Sequence, residues 1–177
     1  MKRKIFAVLS LLLALSSTRL AHADATAKEV TSSIVSANTH RALIEHSLNI
    51  YKRTQIVWPN SSADDADMAK DFAYAYSKER VIYKIVAHYY GGDEELVASY
   101  YFWKGQLFLS TRTNLQHHKF DGKTTVQSHS FFYVTKARVV YCVEDGIQNA
   151  GLRSTREEYR IIYGARNLLT LAQTSDK

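Results

Sequence analysis

Val81-Ile-Tyr-Lys-Ile-Val-Ala-His-Tyr-Tyr-Gly-Gly-Asp-Glu-Glu-Leu-Val-Ala-Ser-Tyr-Tyr-Phe-Trp-Lys-Gly-Gln-Leu-Phe-Leu109 is the stretch that decides the fold. Its apolar residues recur with period two, the spacing of strands that bury one face. Two tight turns interrupt it, Tyr90-Gly-Gly-Asp93 and Trp103-Lys-Gly-Gln106. Gly-Gly and Lys-Gly supply the positive φ of primed two-residue loops, so each predicts a hairpin, and a two-residue loop fixes register. Tyr90 opposite Asp93 sets Ala87 by Leu96, Ile85 by Ala98, Tyr83 by Tyr100 and Val81 by Phe102. Trp103 opposite Gln106 sets Phe102 by Leu107 and Tyr100 by Leu109. Both registers send the same apolar set to one face.

Working outward, Ser77-Lys-Glu-Arg80 predicts a turn that sets Tyr76 by Val81, Tyr74 by Tyr83 and Phe72 by Ile85. Downstream, the Asp-Gly of Phe120-Asp-Gly-Lys123 sets Leu109 by Val134 and Thr111 by Phe132, and Thr135-Lys-Ala-Arg138 sets Val134 by Val139 and Phe132 by Tyr141. A one-residue slip at any turn would invert the apolar face, so agreement among five turns argues for the whole arrangement. Residues 50–57 read as a short strand. Trp58-Pro-Asn-Ser-Ser-Ala-Asp-Asp65 holds the sole proline and reads as a loop. Thr26 to Asn49 carries a helical stripe of Val30, Ile34, Val35, Ala42, Leu43 and Leu48, weakest at Asn38-Thr39. Thr155 to Ala172 predicts a closing helix, opened by a capping box at Ser154-Thr-Arg-Glu157. The expected class is α+β: an antiparallel meander of about six strands with an N-terminal helical segment and a C-terminal helix packed on it, rather than βαβ units.

The first 23 residues read as a cleaved secretory signal peptide. Lys2, Arg3 and Lys4 precede an apolar run from Ile5 to Leu15, and Ala21-His-Ala23 offers small residues for cleavage after Ala23. That run falls short of the ~20 residues that span a bilayer. The expectation is a periplasmic or secreted domain over residues 24–177 with no membrane anchor after cleavage. Without the leader, Lys plus Arg falls from 23 to 19 against 17 acidic residues, and net charge from +6 to +2. The apparent basicity belongs mostly to the leader, and no basic patch argues for a nucleic-acid partner. Cys142 is the sole cysteine, so no intramolecular disulfide forms; among Val139, Val140, Tyr141 and Val143 it reads as a buried hydrophobe.

Tyr100-Tyr-Phe-Trp-Lys-Gly-Gln-Leu-Phe-Leu109 resembles the Y-Y-F-x-x-G-x-L hairpin of small exported bacterial proteins of uncharacterised function. The resemblance covers residues 71–114 and extends to the order of leader, helical segment and aromatic hairpins. It implies a fold and an address; no activity or site residue comes with it.

On the second sheet face the expected registers place His88, Glu95, Asn114, His129 and Glu144 in one row. Arg112 stands in the next row and Lys84 in the one after, beside an aromatic surface that includes Tyr101, Trp103 and Phe108. A pocket of such groups suits a small anionic or aromatic ligand. The row would span roughly 19 Å, too wide for one metal ion with ligands ~2 Å away, so only the adjacent pairs His88/Glu95 and His129/Glu144 can cooperate. Such pairs are also ordinary cross-strand neighbours. His117-His118 reads as a solvated hairpin end whose alternating side chains do not share a metal. Asp64-Asp-Ala-Asp67 lacks the glycine and glutamate of a calcium loop. There is no nucleophile elbow, phosphate loop, Cys-x-x-Cys or zinc-protease motif, and no cofactor or metal is expected.

The preferred expectation is a non-catalytic binding module that meets a small ligand or an envelope protein. One alternative is a small hydrolase-like enzyme with His88/Glu95 or His129/Glu144 as its working pair and Arg112 and Lys84 holding an anion. Another is a structural envelope-stress protein without a ligand pocket.

Overall fold

The computed structural model describes residues 27–56, 71–149 and 155–175. The leader, the loop from Trp58, the Asp64–Asp67 run and Ser154 of the capping box lie outside the described residues. The chain divides into two compact units, Met1–Ser36 and Ala37–Lys177. In the first, residues 27–36 are helical. The second opens with a helix over residues 37–46, here α1, and a 3-10 turn at Leu48–Ile50. Eight strands follow: β1 (Lys52–Ile56), β2 (Phe72–Lys78), β3 (Val81–Gly91), β4 (Glu94–Trp103), β5 (Gln106–His117), β6 (Thr124–Thr135), β7 (Arg138–Glu144) and β8 (Ile147–Asn149). Helix α2 (Thr155–Ser175) closes the unit. Every strand pairs antiparallel with its sequence neighbours in one sheet, so the fold is an α+β meander of the expected kind, with β1 and β8 as its edges. No helix among the described residues is long and apolar enough to cross a membrane.

One sheet face packs under α2. Ile56, Ala73, Ala75, Ile82, Ile85, Ala87, Ala98, Tyr100 and Phe102 form a core with Ala165, Leu168 and Ala172 of the helix, and Phe132, Val134, Val139 and Cys142 form a second cluster around Ile161. The alanines let the helix lie close, and burial of this apolar surface is the main favourable term for folding. Tyr100 reaches the helix backbone: a Cβ on Gly164 would meet its hydroxyl oxygen at 3.4 Å, ordinary contact. Gly164→Ala is therefore expected to raise the unfolding free energy by about 0.5–1 kcal/mol, the difference in helix propensity, measured by urea denaturation. The other face meets α1 through Lys84, Tyr101, Trp103, Phe108, Phe131 and Tyr133.

Only part of the expected pairing is realised. The loop between β2 and β3 is Glu79–Arg80, both in left-handed backbone at φ 53° and 65°, so Lys78 faces Val81. Ala73 and Ala75, not Phe72, Tyr74 and Tyr76, thus share the face of Ile85, a reversal of the expected face. The physical reason is space, since alanines fit beneath a close helix. The rings fit on the other side, where Phe72 meets Tyr74 edge-on at 5.5 Å and Arg53 lies 3.6 Å over the ring of Tyr74. Between β3 and β4 the loop slides one residue onward, giving Ile85 by Tyr100 and Ala87 by Ala98, which preserves the face.

Trp103 by Gln106 and Phe102 by Leu107 occur as expected, but a bulge then puts Tyr100 by Ser110 and Tyr101 by Leu109. Thr135 by Arg138 and Val134 by Val139 also hold before a bulge sets Phe132 by Cys142. The β5–β6 connection is longer than Asp121–Gly122: His117 faces Thr124, and the His118 N–H bonds the Lys123 carbonyl at 2.8 Å. Leu109 therefore faces Tyr133, and Thr111 faces Phe131. Each bulge opposes two residues to one and inverts the faces beyond it.

Candidate functional site

The register of β3 and β4 puts His88 and Glu95 on the face of Lys84, at the end of the sheet remote from Trp103. They meet: His88 Nδ1 lies 2.6 Å from Glu95 Oε1. The other carboxylate oxygen is taken by His117, whose Nε2 is 2.8 Å from Oε2 and whose Nδ1 is 3.0 Å from Thr124 Oγ1. Tyr90 adds a side-chain hydrogen bond to the same carboxylate. Phe72 stacks on the His88 ring at 4.4 Å and fixes its plane. The result is a buried carboxylate, 7% exposed, clamped by two imidazoles and a phenol.

Burial pushes the Glu95 carboxyl up, but the bonds from His88, His117 and Tyr90 outweigh it and hold the group below its ordinary value of 4.5. Tyr90 is raised by burial and then by the charge of Glu95 beside it. Glu45 on α1 is also held low: burial opposes, while hydrogen bonds from Lys84 and Tyr101 prevail. A carboxyl whose folded value is depressed stabilises the fold above its unfolded value, and that contribution disappears as pH falls through the folded value. The urea midpoint is therefore expected to drop as pH falls from about 6 to about 3, and Glu95→Gln to flatten the drop, read by tryptophan fluorescence.

Beside this clamp a cleft of ≈ 670 Å³ opens between the β3–β4 turn and strands β5 and β6. Tyr90, Glu94, Glu95, Asn114, Gln116 and Gln127 line it. Asn114 Nδ2 donates to Ser128 Oγ at 2.6 Å and Gln116 Nε2 to the Asp93 carbonyl at 3.2 Å, which fixes the orientation of both amides.

The expected five-residue row is broken. Asn114 faces Leu96 and Ser128, on the α2 face, and rejoins Glu95 only at the cleft. His129 bonds Thr113 Oγ1 through Nδ1 at 2.7 Å, and Ser130 rather than His129 stands opposite Glu144, so His129 and Glu144 are not cross-strand partners. The bulge at Val140 is the cause. Lys84 binds Glu45 at 2.8 Å, Tyr101 donates to the same oxygen at 2.6 Å, and Trp103 and Phe108 lie 4.3 and 5.7 Å from the His40 ring. Those four therefore meet α1 instead of lining the cleft. Arg112 sits on the α2 face, 3.5 Å from Glu157 and 5.3 Å over the ring of Phe132. Neither Lys84 nor Arg112 joins the His88–Glu95 pair.

Sequence reasoning missed His117 as a member. Its neighbour His118, just past the end of β5, bonds Thr125 Oγ1 at 3.0 Å instead. The bulge past Tyr101 carries no mark in the sequence; it brings His117 onto the face of Glu95, opposite Asp93 and diagonal to that carboxylate, where an unbulged register puts it on the other face. The imidazole nitrogens bond the carboxylate instead of converging on a point, and among the described residues no cluster of three or more His, Cys, Asp or Glu is placed to hold a metal ion. Comparison with protein-family models, curated proteins and solved structures gives no match.

Proposed function

We propose that this chain is an exported, non-catalytic binding module that takes a hydroxyl-rich ligand of saccharide type in the cleft beside Glu95. The observation that carries this reading is the wall of the cleft, where fixed amides, a tyrosine and carboxylates stand together. Planar amides and carboxylates present donors and acceptors at the spacing of sugar hydroxyls, and a tyrosine ring gives an apolar face with a polar tip. A few convergent polar groups in a cleft of this size set ligand orientation. Export is supported by the leader pattern, and protein recovered from outside the cytoplasm is expected to begin at Asp24. Isothermal titration with chitotetraose and maltotetraose tests the site. Saturable binding of one of them is expected, weakened about tenfold in a Gln116→Ala/Gln127→Ala variant with unchanged thermal midpoint. If neither oligosaccharide binds, the reading fails.

One observation favours a hydrolytic second reading: Thr124, His117 and Glu95 stand in the order hydroxyl, imidazole, carboxylate. That order positions a base for a nucleophile. Turnover of p-nitrophenyl acetate that disappears in both Thr124→Val and His117→Ala would establish it; equal background rates in all three proteins would remove it.

A further inference from the structure

A second cleft, independent of the Glu95 site, lies on the α2 face at the opposite end of the sheet. It measures ≈ 350 Å³ and sits between α2 and the two turns at Lys104–Gly105 and Lys136–Ala137. Its helix wall is Ile162, Ala165, Arg166 and Leu169, an i, i+3, i+4, i+7 stripe along one side of α2. Its sheet wall is the cross-strand pair Phe102 and Leu107. The walls are thus more apolar than polar, with Gln106 beside the hydrocarbon side chains, and the charged groups that line the cleft, Lys136 and Arg166, are both cationic and exposed. Neither pairs with a carboxylate among the described residues, whereas Lys84, Arg112, Lys119 and Lys123 each do. The Lys136 backbone is held in left-handed conformation at φ 51° by its tight turn, which fixes where its side chain departs.

Two cations beside an apolar slot match a ligand with one anionic end and one apolar end. We propose that this cleft binds a single-chain anionic amphiphile of the fatty-acid type. The carboxylate lies between Lys136 and Arg166, and the alkyl chain runs along Phe102, Leu107, Ile162 and Leu169. Apolar burial supplies most of the affinity and the cations set the orientation and the preference for negative charge.

The test is calorimetric titration of the full chain with decanoate below its micellar concentration, beside decanol and decyltrimethylammonium. Both cations are exposed, so a Lys136→Gln/Arg166→Gln variant keeps the fold, checked by circular dichroism. The expected result is saturable decanoate binding that the double variant weakens about tenfold, with decanol binding changed less than about twofold and the ammonium amphiphile excluded. Oligosaccharide titrations are expected to be the same in the variant as in the parent, which separates this site from the Glu95 cleft. The proposal is overturned if decanoate shows no saturable binding, if the ammonium amphiphile binds as well, or if the double variant leaves decanoate binding unchanged. Binding seen only with phosphatidylglycerol vesicles, and not with monomeric decanoate, would equally overturn it in favour of a membrane surface.

Discussion

Phe102→Ala is expected to lower the unfolding free energy by about 3–5 kcal/mol, the usual cost of emptying an aromatic site in a well-packed core. Phe102 is 2% exposed and belongs to the cluster of Ala98, Tyr100, Ala165 and Leu168 between sheet and helix. It stands two residues from the Lys104–Gly105 turn, where Leu107 is its cross-strand partner. Phe102 also walls the cleft beside that turn, so part of the vacated space opens to solvent and the loss falls toward the lower end of that range. Domains of this size are stable by about 5–15 kcal/mol, and the variant forfeits a large share of the total. Urea denaturation followed by circular dichroism measures it. Phe120→Ala is the matched control: that ring is fully exposed on the β5–β6 connection, and its loss is expected to fall within about 0.5 kcal/mol of the parent. Similar costs for the two variants would mean that α2 does not cover this face in solution.

Glu45→Leu is the second large effect, at about 1–2 kcal/mol, because the Glu45 side chain is about a third exposed and its partners are buried. Its carboxylate is the meeting point of the Lys84 ammonium at 2.8 Å and the Tyr101 hydroxyl at 2.6 Å, both on buried strand positions. Removing the carboxylate leaves an ammonium and a phenol in a poorly hydrated layer without their shared acceptor, which costs more than the pair itself contributes. The physical content is therefore a non-additivity. Glu45→Leu combined with Lys84→Met and Tyr101→Phe is expected to recover most of the loss, because apolar groups of similar shape need no partner. Equal losses in the single and the triple variant would show that packing of α1, not the charge, carries the effect. Burial already raises the Tyr101 hydroxyl and its bond to Glu45 raises it further, so Tyr101 remains the donor throughout the accessible pH range.

The meander was legible because its evidence is local. Gly-Gly and Lys-Gly turns and period-two apolarity do not depend on distant residues, and they placed Ile85, Ala87, Ala98 and Tyr100 on one face as observed. The second face was less legible because four bulges intervene. Comparison of the registers shows Tyr83, Phe108, Gln127 and Val140 as the extra residues. A bulge at Tyr83 or Phe108 has no marker in the sequence; neither position is glycine, and an aromatic residue there reads as one more strand residue. Each one inverts parity, and the inversions decide that Arg112 and Asn114 lie under α2 while His129 parts from Glu144. His88 and Glu95 were found together because one turn alone, without a bulge, separates them. His117 reaches the face of Glu95 only through the bulge at Phe108, since an unbulged register puts Asn114 opposite Glu95 and His117 on the other face. The α2-side cleft was not legible at all, since it depends on where a helix late in the chain crosses two turns that precede it.

That every strand pairs with the one before it gives the chain a direction of assembly. From β2 onward each hairpin closes over a short loop, so the sheet grows by local steps, and such topologies fold faster than those that join distant segments. Helix α2, which covers the apolar face, follows all the strands in sequence. Until it docks, Ile85, Ala98, Tyr100 and Phe102 form an uncovered apolar surface on a sheet that already has its shape. The interval between the last hairpin and the arrival of α2 is thus the moment at which this protein is most exposed to self-association, and to any factor that binds unfinished sheets.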